Sequence, residues 1–187
     1  MPIDSYYYFL DETDSTMDAL KHRAQEGAPE GTVVVAERQT RGRGKQGRVW
    51  FGDSDSLMFS ILYRPEKIGD VASWVHNTGI AVIQGIQQLA DIPIRLEWPN
   101  DLIIDQEKIG GILIETSNQA EKINYVMVGI GLNVNNMKFP ESLTHAASSL
   151  AIKTGHPIDK KKLLVSVVNA LNALFGACHE IGGELVQ

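Results

Sequence analysis

The chain has a single cysteine, Cys178, which rules out any disulfide framework within it. Such sparing use of thiols suits a reducing compartment. No apolar run approaches the roughly 18 residues of a membrane span. The opening "MPIDSYYYFL" lacks the basic-then-apolar order of a secretion signal. Metal and nucleophile signatures are missing as well. There is no HExxH, no CxxC and no G-x-S-x-G elbow, and the five histidines are scattered. A Walker loop is also absent. Lys and Arg number 17 against 23 Asp and Glu, so the net charge of −6 gives no global basic field for nucleic acid. The expectation is a cytoplasmic domain with no protein-bound metal, no DNA partner and no membrane partner.

What is present is a core. Apolar residues make up 43% of 187, enough for one well-packed domain. The segment from Tyr6 to Leu10 reads as a short strand. "DSTMDALKHRAQEG" reads as a helix, capped by Asp14 or Ser15, striped by Met17, Leu20 and Ala24, and stopped by Gly27. "GTVVVAERQ" and "LMFSILYR" are strands, and Asp70 to Ala90 has helical spacing. "IRLEWPND" is extended into Pro99. "LIID-QEK-IGGILIE" reads as a hairpin, and "INYVMVGIGLNVN" as the strand that pairs next. Helices are expected at Ala146 to Lys153 and from Asp159 to near His179. Strands adjacent in sequence point to an α+β fold, a mixed and largely antiparallel sheet packed with helices.

The stretch "TRGRGKQGRVWF" is the least ordinary part of the chain. Glycines at 42, 44 and 47 fit a dinucleotide fingerprint, but that motif needs a helix behind it, and "RVWFGDSDS" has no helical stripe. Arg41, Arg43, Lys45 and Arg48 crowd together in an acidic protein. Four neighbouring cations repel, so an anionic ligand would relieve a standing cost. The physical reading is a flexible loop that closes on a small anionic ligand.

Other polar positions have ordinary readings beside functional ones. In "EWPNDL", Asn100 holds a proline turn and Asp101 offers a hydrogen bond or meets a metal-bound phosphate. Lys108 is the one cation between Arg95 and Lys122 and precedes Gly110–Gly111, where a ligand could approach backbone. A hairpin lysine is ordinarily solvated. Asn133 and Asn135 end a buried strand. Ser15 and Thr16 read as a helix cap, and Gln39 ends the strand before the basic loop.

Taken together, these segments resemble the biotin protein ligases. "TDSTMDAL" is similar to the family's T-x-S-T-N, "ERQTRGRGKQGRVWF" to G-R-G-R-x-G-R-x-W, "EWPNDL" to K-W-P-N-D, "KIGGILIE" to K-x-x-G-I-L-x-E, and "VGIGLNVN" to G-I-G-x-N-V-N. The resemblance spans roughly Tyr8 to Leu150 and implies one catalytic domain over 1–187. It also implies that the helix-turn-helix extension and SH3-like barrel of some members are absent. The implied reaction joins biotin and ATP into biotinyl-5′-AMP and pyrophosphate, then passes biotin to a lysine of a biotin carboxyl carrier protein. ATP with Mg2+ is the co-substrate, and homodimer formation is left open.

By the same resemblance, Ser15, Thr16 and Gln39 hold the ureido head of biotin, with Met17 beside them. Arg43, Gly44 and Lys45 lie in the closing loop, and Arg43 and Lys108 are catalytic, Lys108 meeting the carboxylate and the α-phosphate. Arg48, Trp50, Asn100, Asp101 and Asn133 serve the nucleotide. Met17, Glu97, Lys45 and Arg41 stand where the family usually has asparagine, lysine, arginine and a small residue. Glu97 is therefore expected to put a negative charge beside the nucleotide. Rival readings are a lipoate or octanoate ligase of the same fold and a biotin-binding regulatory module without turnover.

Overall fold

The computed structural model describes residues 3–65, 70–119, 122–140, 143 and 146–180. The elements run β1 (Tyr6–Thr13), α1 (Thr16–Gln25), β2 (Thr32–Gln39), β3 (Ser56–Tyr63), α2 (Val71–Gln87), β4 (Arg95–Glu97), β5 (Asp101–Ile104), β6 (Glu107–Gln119), β7 (Lys122–Asn133), α3 (Leu150–Thr154) and α4 (Lys160–Glu180). One seven-stranded sheet has the order β1-β2-β3-β7-β6-β5-β4. β1 and β2 are parallel because α1 crosses between them, and every other pair is antiparallel. This is the mixed, largely antiparallel sheet that the sequence implies.

Strand alternation splits the core into two layers. Val33, Val35, Phe59, Ile61, Val128 and Ile130 face α2 and α4, whose Val82, Ile86, Val167 and Leu171 close the larger core. Val34, Leu62, Tyr125 and Met127 face α1 and pack on Met17, Leu20 and Ala24. Leu20 is fully buried, so truncation to alanine there would cost about 2–5 kcal/mol.

Local chemistry sets the ends of the elements. Ser15 Oγ accepts from Met17 N–H at the start of α1, and Gly27 follows its end with φ 88°. Arg64 donates to the carbonyls of Ala24 and Ala28 and so satisfies the C-terminal turn. Asp70 caps α2 and Asp159 caps α4 through backbone N–H groups. The β5–β6 hairpin turns on Asp105 and Gln106, both at positive φ, as a two-residue turn requires.

Two expectations about elements change. The helix expected over Ala146 to Lys153 begins only at Leu150, capped by Ser149. Ala146 to Ser148 is instead an extended strap: Lys108 N–H donates to Ala146 O, and Ser148 N–H donates to Lys108 O. Extension toward Pro99 stops at Glu97, and the chain turns through Trp98 to Asn100. Cys178 falls in α4, and its side chain lies outside the described residues. No helix among the described residues is long and apolar enough to cross a membrane.

Candidate functional site

On the α1 face of the sheet lies a cleft of about 490 Å³. Its floor is built by strand parity. On this face β7 runs Tyr125, Met127, Gly129, Gly131, so its side chains vanish where the cleft opens. Gly111 lies opposite Gly131 in the ladder, and Leu113 lies opposite Gly129. A Cβ on Gly129 would stand 2.9 Å from Met17 Sδ, and one on Gly131 would stand 2.5 Å from Trp50 Cε2. Glycine is needed at both positions because those two side chains press on the strand. Gly110, by contrast, faces Leu132 and Leu102. Of the Gly110–Gly111 pair, only Gly111 opens to the cleft.

The deep end is polar. Thr16 N–H donates to Gln39 Oε1 at 2.7 Å, and Gln39 Nε2 donates to Met58 Sδ at 3.3 Å. The Thr16 and Ser60 hydroxyls share a 2.8 Å hydrogen bond. Ser15, Thr16 and Met17 are all buried here.

The mouth is charged. Lys108 Nζ donates to Asp101 Oδ1 at 2.7 Å and lies 5.8 Å from the centre of the Trp50 ring. The Lys108 and Asp101 side chains are only 27% and 21% exposed. Lys108 is therefore not a solvated hairpin lysine; the hairpin register turns it inward onto a carboxylate. Its backbone carbonyl accepts from Asn133 Nδ2, which also donates to Ser148 O. Lys153 braces the same hairpin through Glu107 at 2.6 Å and Asp105 at 3.1 Å. Asn100 Nδ2 donates to Ile112 O and fixes the turn that carries Asp101.

The basic loop does not hold four idle cations. Arg41 and Thr40 bind Asp14, whose carboxyl sits below the usual range because of Arg41's hydrogen bond first and Thr40's second. Arg43 makes a two-pronged pair with Glu115 at 3.1 and 3.2 Å and reaches Asp18 at 2.6 Å. Burial works against its charge, and the hydrogen bonds to Glu115 and Asp18 outweigh it, so Arg43 is held above its ordinary value. Lys45 lies 5.8 Å from the centre of the Trp98 ring, and neither Lys45 nor Arg48 has a carboxylate partner among the described residues. The standing repulsion expected from sequence is thus half cancelled, with Lys45 and Arg48 left for a ligand. Glu97, expected beside the nucleotide, does not line the cleft; it pairs with Arg95 at 3.6 Å.

Ser15, Thr16, Met17, Gln39, Arg43, Gly44, Lys45, Arg48, Trp50, Asn100, Asp101, Lys108 and Asn133 all line this one cleft. Sequence reasoning did not single out Val49, Phe51, Leu113, Phe139 or Leu143 as lining residues. Apolar residues, whether in loops or, like Leu113, in a strand, carry no local chemical signal, whereas Gly129 and Gly131 were findable from their spacing of two. Among the described residues no group of three His, Cys, Asp or Glu side chains could hold a metal ion. Trp50 Nε1 is buried in the cleft wall with no hydrogen-bond partner among the described residues.

Fold and cleft define an α+β domain with a cleft that is polar at its deep end and charged at its mouth. The chain belongs to the biotin/lipoate A/B protein ligase family, which it matches over residues 9–133. The bifunctional ligase/repressor BirA of Bacillus subtilis is 35% identical over 164 residues, 86% of this chain and 50% of that protein. The biotin–[acetyl-CoA-carboxylase] ligase of Mycobacterium tuberculosis is 34% identical over 146 residues, 74% of this chain and 52% of that protein. A structure of biotin protein ligase from Aquifex aeolicus in complex with biotin and ATP superposes with a TM-score of 0.83 at 31% identity, covering 95% of this chain and 73% of that one. The chain spans about half the length of the curated BirA relatives of Bacillus that it matches.

Proposed function

We propose that this chain is the catalytic domain of a biotin protein ligase acting in the cytoplasm. In the first step a carboxylate oxygen of biotin attacks the α-phosphorus of ATP and pyrophosphate leaves. In the second, the amine of a lysine on a biotin carboxyl carrier protein attacks the carbonyl of the mixed anhydride and AMP leaves. One observation carries the reading: a polar end built by Ser15, Thr16 and Gln39 and a cationic end built by Lys45, Arg48 and Lys108 share one cleft.

The chemistry needs that division. A carboxylate approaching a triphosphate meets repulsion, which preorganised cations cancel best in a water-poor site. Lys108, held by Asp101 and braced through its backbone, is the fixed cation, and Lys45 and Arg48 are the adaptable ones. The described residues offer no cage for magnesium, so the ion is assigned to the ATP phosphates as part of the substrate. The loop from Arg41 to Trp50 serves as the lid that keeps water from the anhydride. Arg43 is assigned to fasten that lid to α1 and β6 through Asp18 and Glu115.

Octanoate or lipoate fits less well, because an alkyl or dithiolane end would offer no acceptor to the polar groups of Gln39, Thr16 and Ser15 that line this end. The net charge of −6 favours an acidic or neutral partner surface less than a basic one and gives no field for DNA. The test is transfer: with ATP, the chain should add biotin, and not octanoate, to the target lysine of an apo carrier domain, read by mass spectrometry. Octanoylation in place of biotinylation would replace this reading with the lipoate one.

A further inference from the structure

We propose that Ser60, which does not line the cleft, sets the direction of the Thr16 hydroxyl proton and so makes the cleft selective for a head group that presents a carbonyl acceptor. The inference rests on the biotin reading of the cleft.

Ser60 lies in the middle of β3 and is 0% exposed. A serine in an otherwise apolar stretch of strand is unfavourable unless its hydroxyl is paired. Among the described residues its one hydrogen bond is the 2.8 Å contact with Thr16 Oγ1. Two hydroxyls and one shared bond leave one proton over. If Thr16 donates, the leftover proton is on Ser60, sealed in the core with nothing to accept it. If Ser60 donates, the leftover proton is on Thr16, which lines the cleft. Only the second arrangement leaves no buried donor orphaned.

The same accounting orients Gln39. A backbone N–H donates to its side-chain oxygen, so its amide nitrogen is the end directed at Met58. A thioether is a weak acceptor that a carbonyl oxygen would replace. Ser15 Oγ accepts from Met17 N–H and keeps its own proton to give. The deep end of the cleft is therefore rich in donors. A ureido carbonyl with two lone pairs complements it. The guanidine-type head of 2-iminobiotin, protonated at neutral pH, would set N–H against O–H and N–H.

The test measures dissociation constants at neutral pH for biotin and 2-iminobiotin by calorimetry. The proteins are the parent, Ser60→Ala, Thr16→Val and the double variant, each with its thermal unfolding. Ser60→Ala should weaken biotin about three- to tenfold, the usual worth of one hydrogen bond. It should also narrow the preference for biotin over 2-iminobiotin, because Thr16 becomes free to accept. In the Thr16→Val background, Ser60→Ala should change neither constant. If Ser60→Ala fails to fold, Ser60→Cys carries the same comparison with a weaker donor of similar size. An unchanged biotin constant, an unchanged preference, or an equal loss in the Thr16→Val background would overturn the proposal and make Ser60 a packing residue. A parent that binds no biotin would instead overturn the functional reading, and the proposal with it.

Discussion

Replacing Lys108 with glutamine removes the charge at the mouth of the cleft while keeping most of the side chain's reach. Two costs follow and can be separated. The 2.7 Å pair with Asp101 has side chains 27% and 21% exposed, so it lies between a surface pair and a buried one. Surface pairs contribute about 0–1 kcal/mol, and breaking a buried pair costs about 3–5. A loss of about 1–2 kcal/mol is expected. With an unfolding entropy of about 2.1 cal/mol/K per residue, that lowers Tm by about 3–5 °C. The chemical cost is larger, because loss of a preorganised electrostatic contact costs about 3–4 kcal/mol, or about 10² to 10³ in rate. The assay is single-turnover biotinyl-5′-AMP formation beside thermal unfolding, for the parent, Lys108→Gln and Lys108→Gln/Asp101→Asn. The double variant replaces an orphaned carboxylate with a neutral hydrogen-bonded pair, so it should recover most of the stability and none of the rate. Adenylate formation by Lys108→Gln within a few-fold of the parent would refute the catalytic role.

Three further outcomes are expected. Gly131→Ala places a Cβ 2.5 Å from Trp50 Cε2, so the ring must move; tryptophan emission should change and ATP-dependent turnover should fall about 10- to 10²-fold, whereas unchanged values would contradict the packing. Thr78→Val removes a buried hydroxyl with no partner among the described residues, so Tm should rise by about 2–3 °C, about 1 kcal/mol; a fall would mean that the hydroxyl is satisfied. The Asp14 carboxyl is held below its unfolded value of about 3.9, so the stability it lends is present above that pH and is lost as pH falls through the folded value. The protection factors of the Thr40 and Arg41 amides, that is, exchange relative to its intrinsic rate at each pH, should therefore hold steady from pH 8 to about 5 and fall only below about 4, and Asp14→Asn should abolish that step.

The sheet was legible because its signals are local. β-Branched runs mark β2 and β7, Ser15 and Gly27 bracket α1, and the apolar spacing of α2 and α4 follows one face. The β5–β6 hairpin was readable even without a glycine at Asp105–Gln106, because two apolar runs flank a short polar one. What sequence hid are pairings set by tertiary register. Glu115 lies 72 residues from Arg43, and nothing in the basic loop announces that its charge is already met. Asp101 is seven residues from Lys108, yet the two meet only because of the hairpin and its bulge between Leu102 and Ile103. The alanines at 146 and 147 favour helix, but backbone bonds to Lys108 hold them extended, a case of tertiary contact overriding propensity. The site residues were readable as a set because motifs quoted separately converge on one cleft, and the glycine floor explains why they do.

The most direct measurement is exchange of labelled pyrophosphate into ATP catalysed by this chain. Exchange reports reversible adenylation alone and needs no carrier. Exchange that depends on biotin, is not supported by octanoate or lipoate, and falls about 10² to 10³ with Lys108→Gln is the result the account predicts. Binding of biotin without any exchange would contradict it and leave a biotin-binding module in place of a ligase.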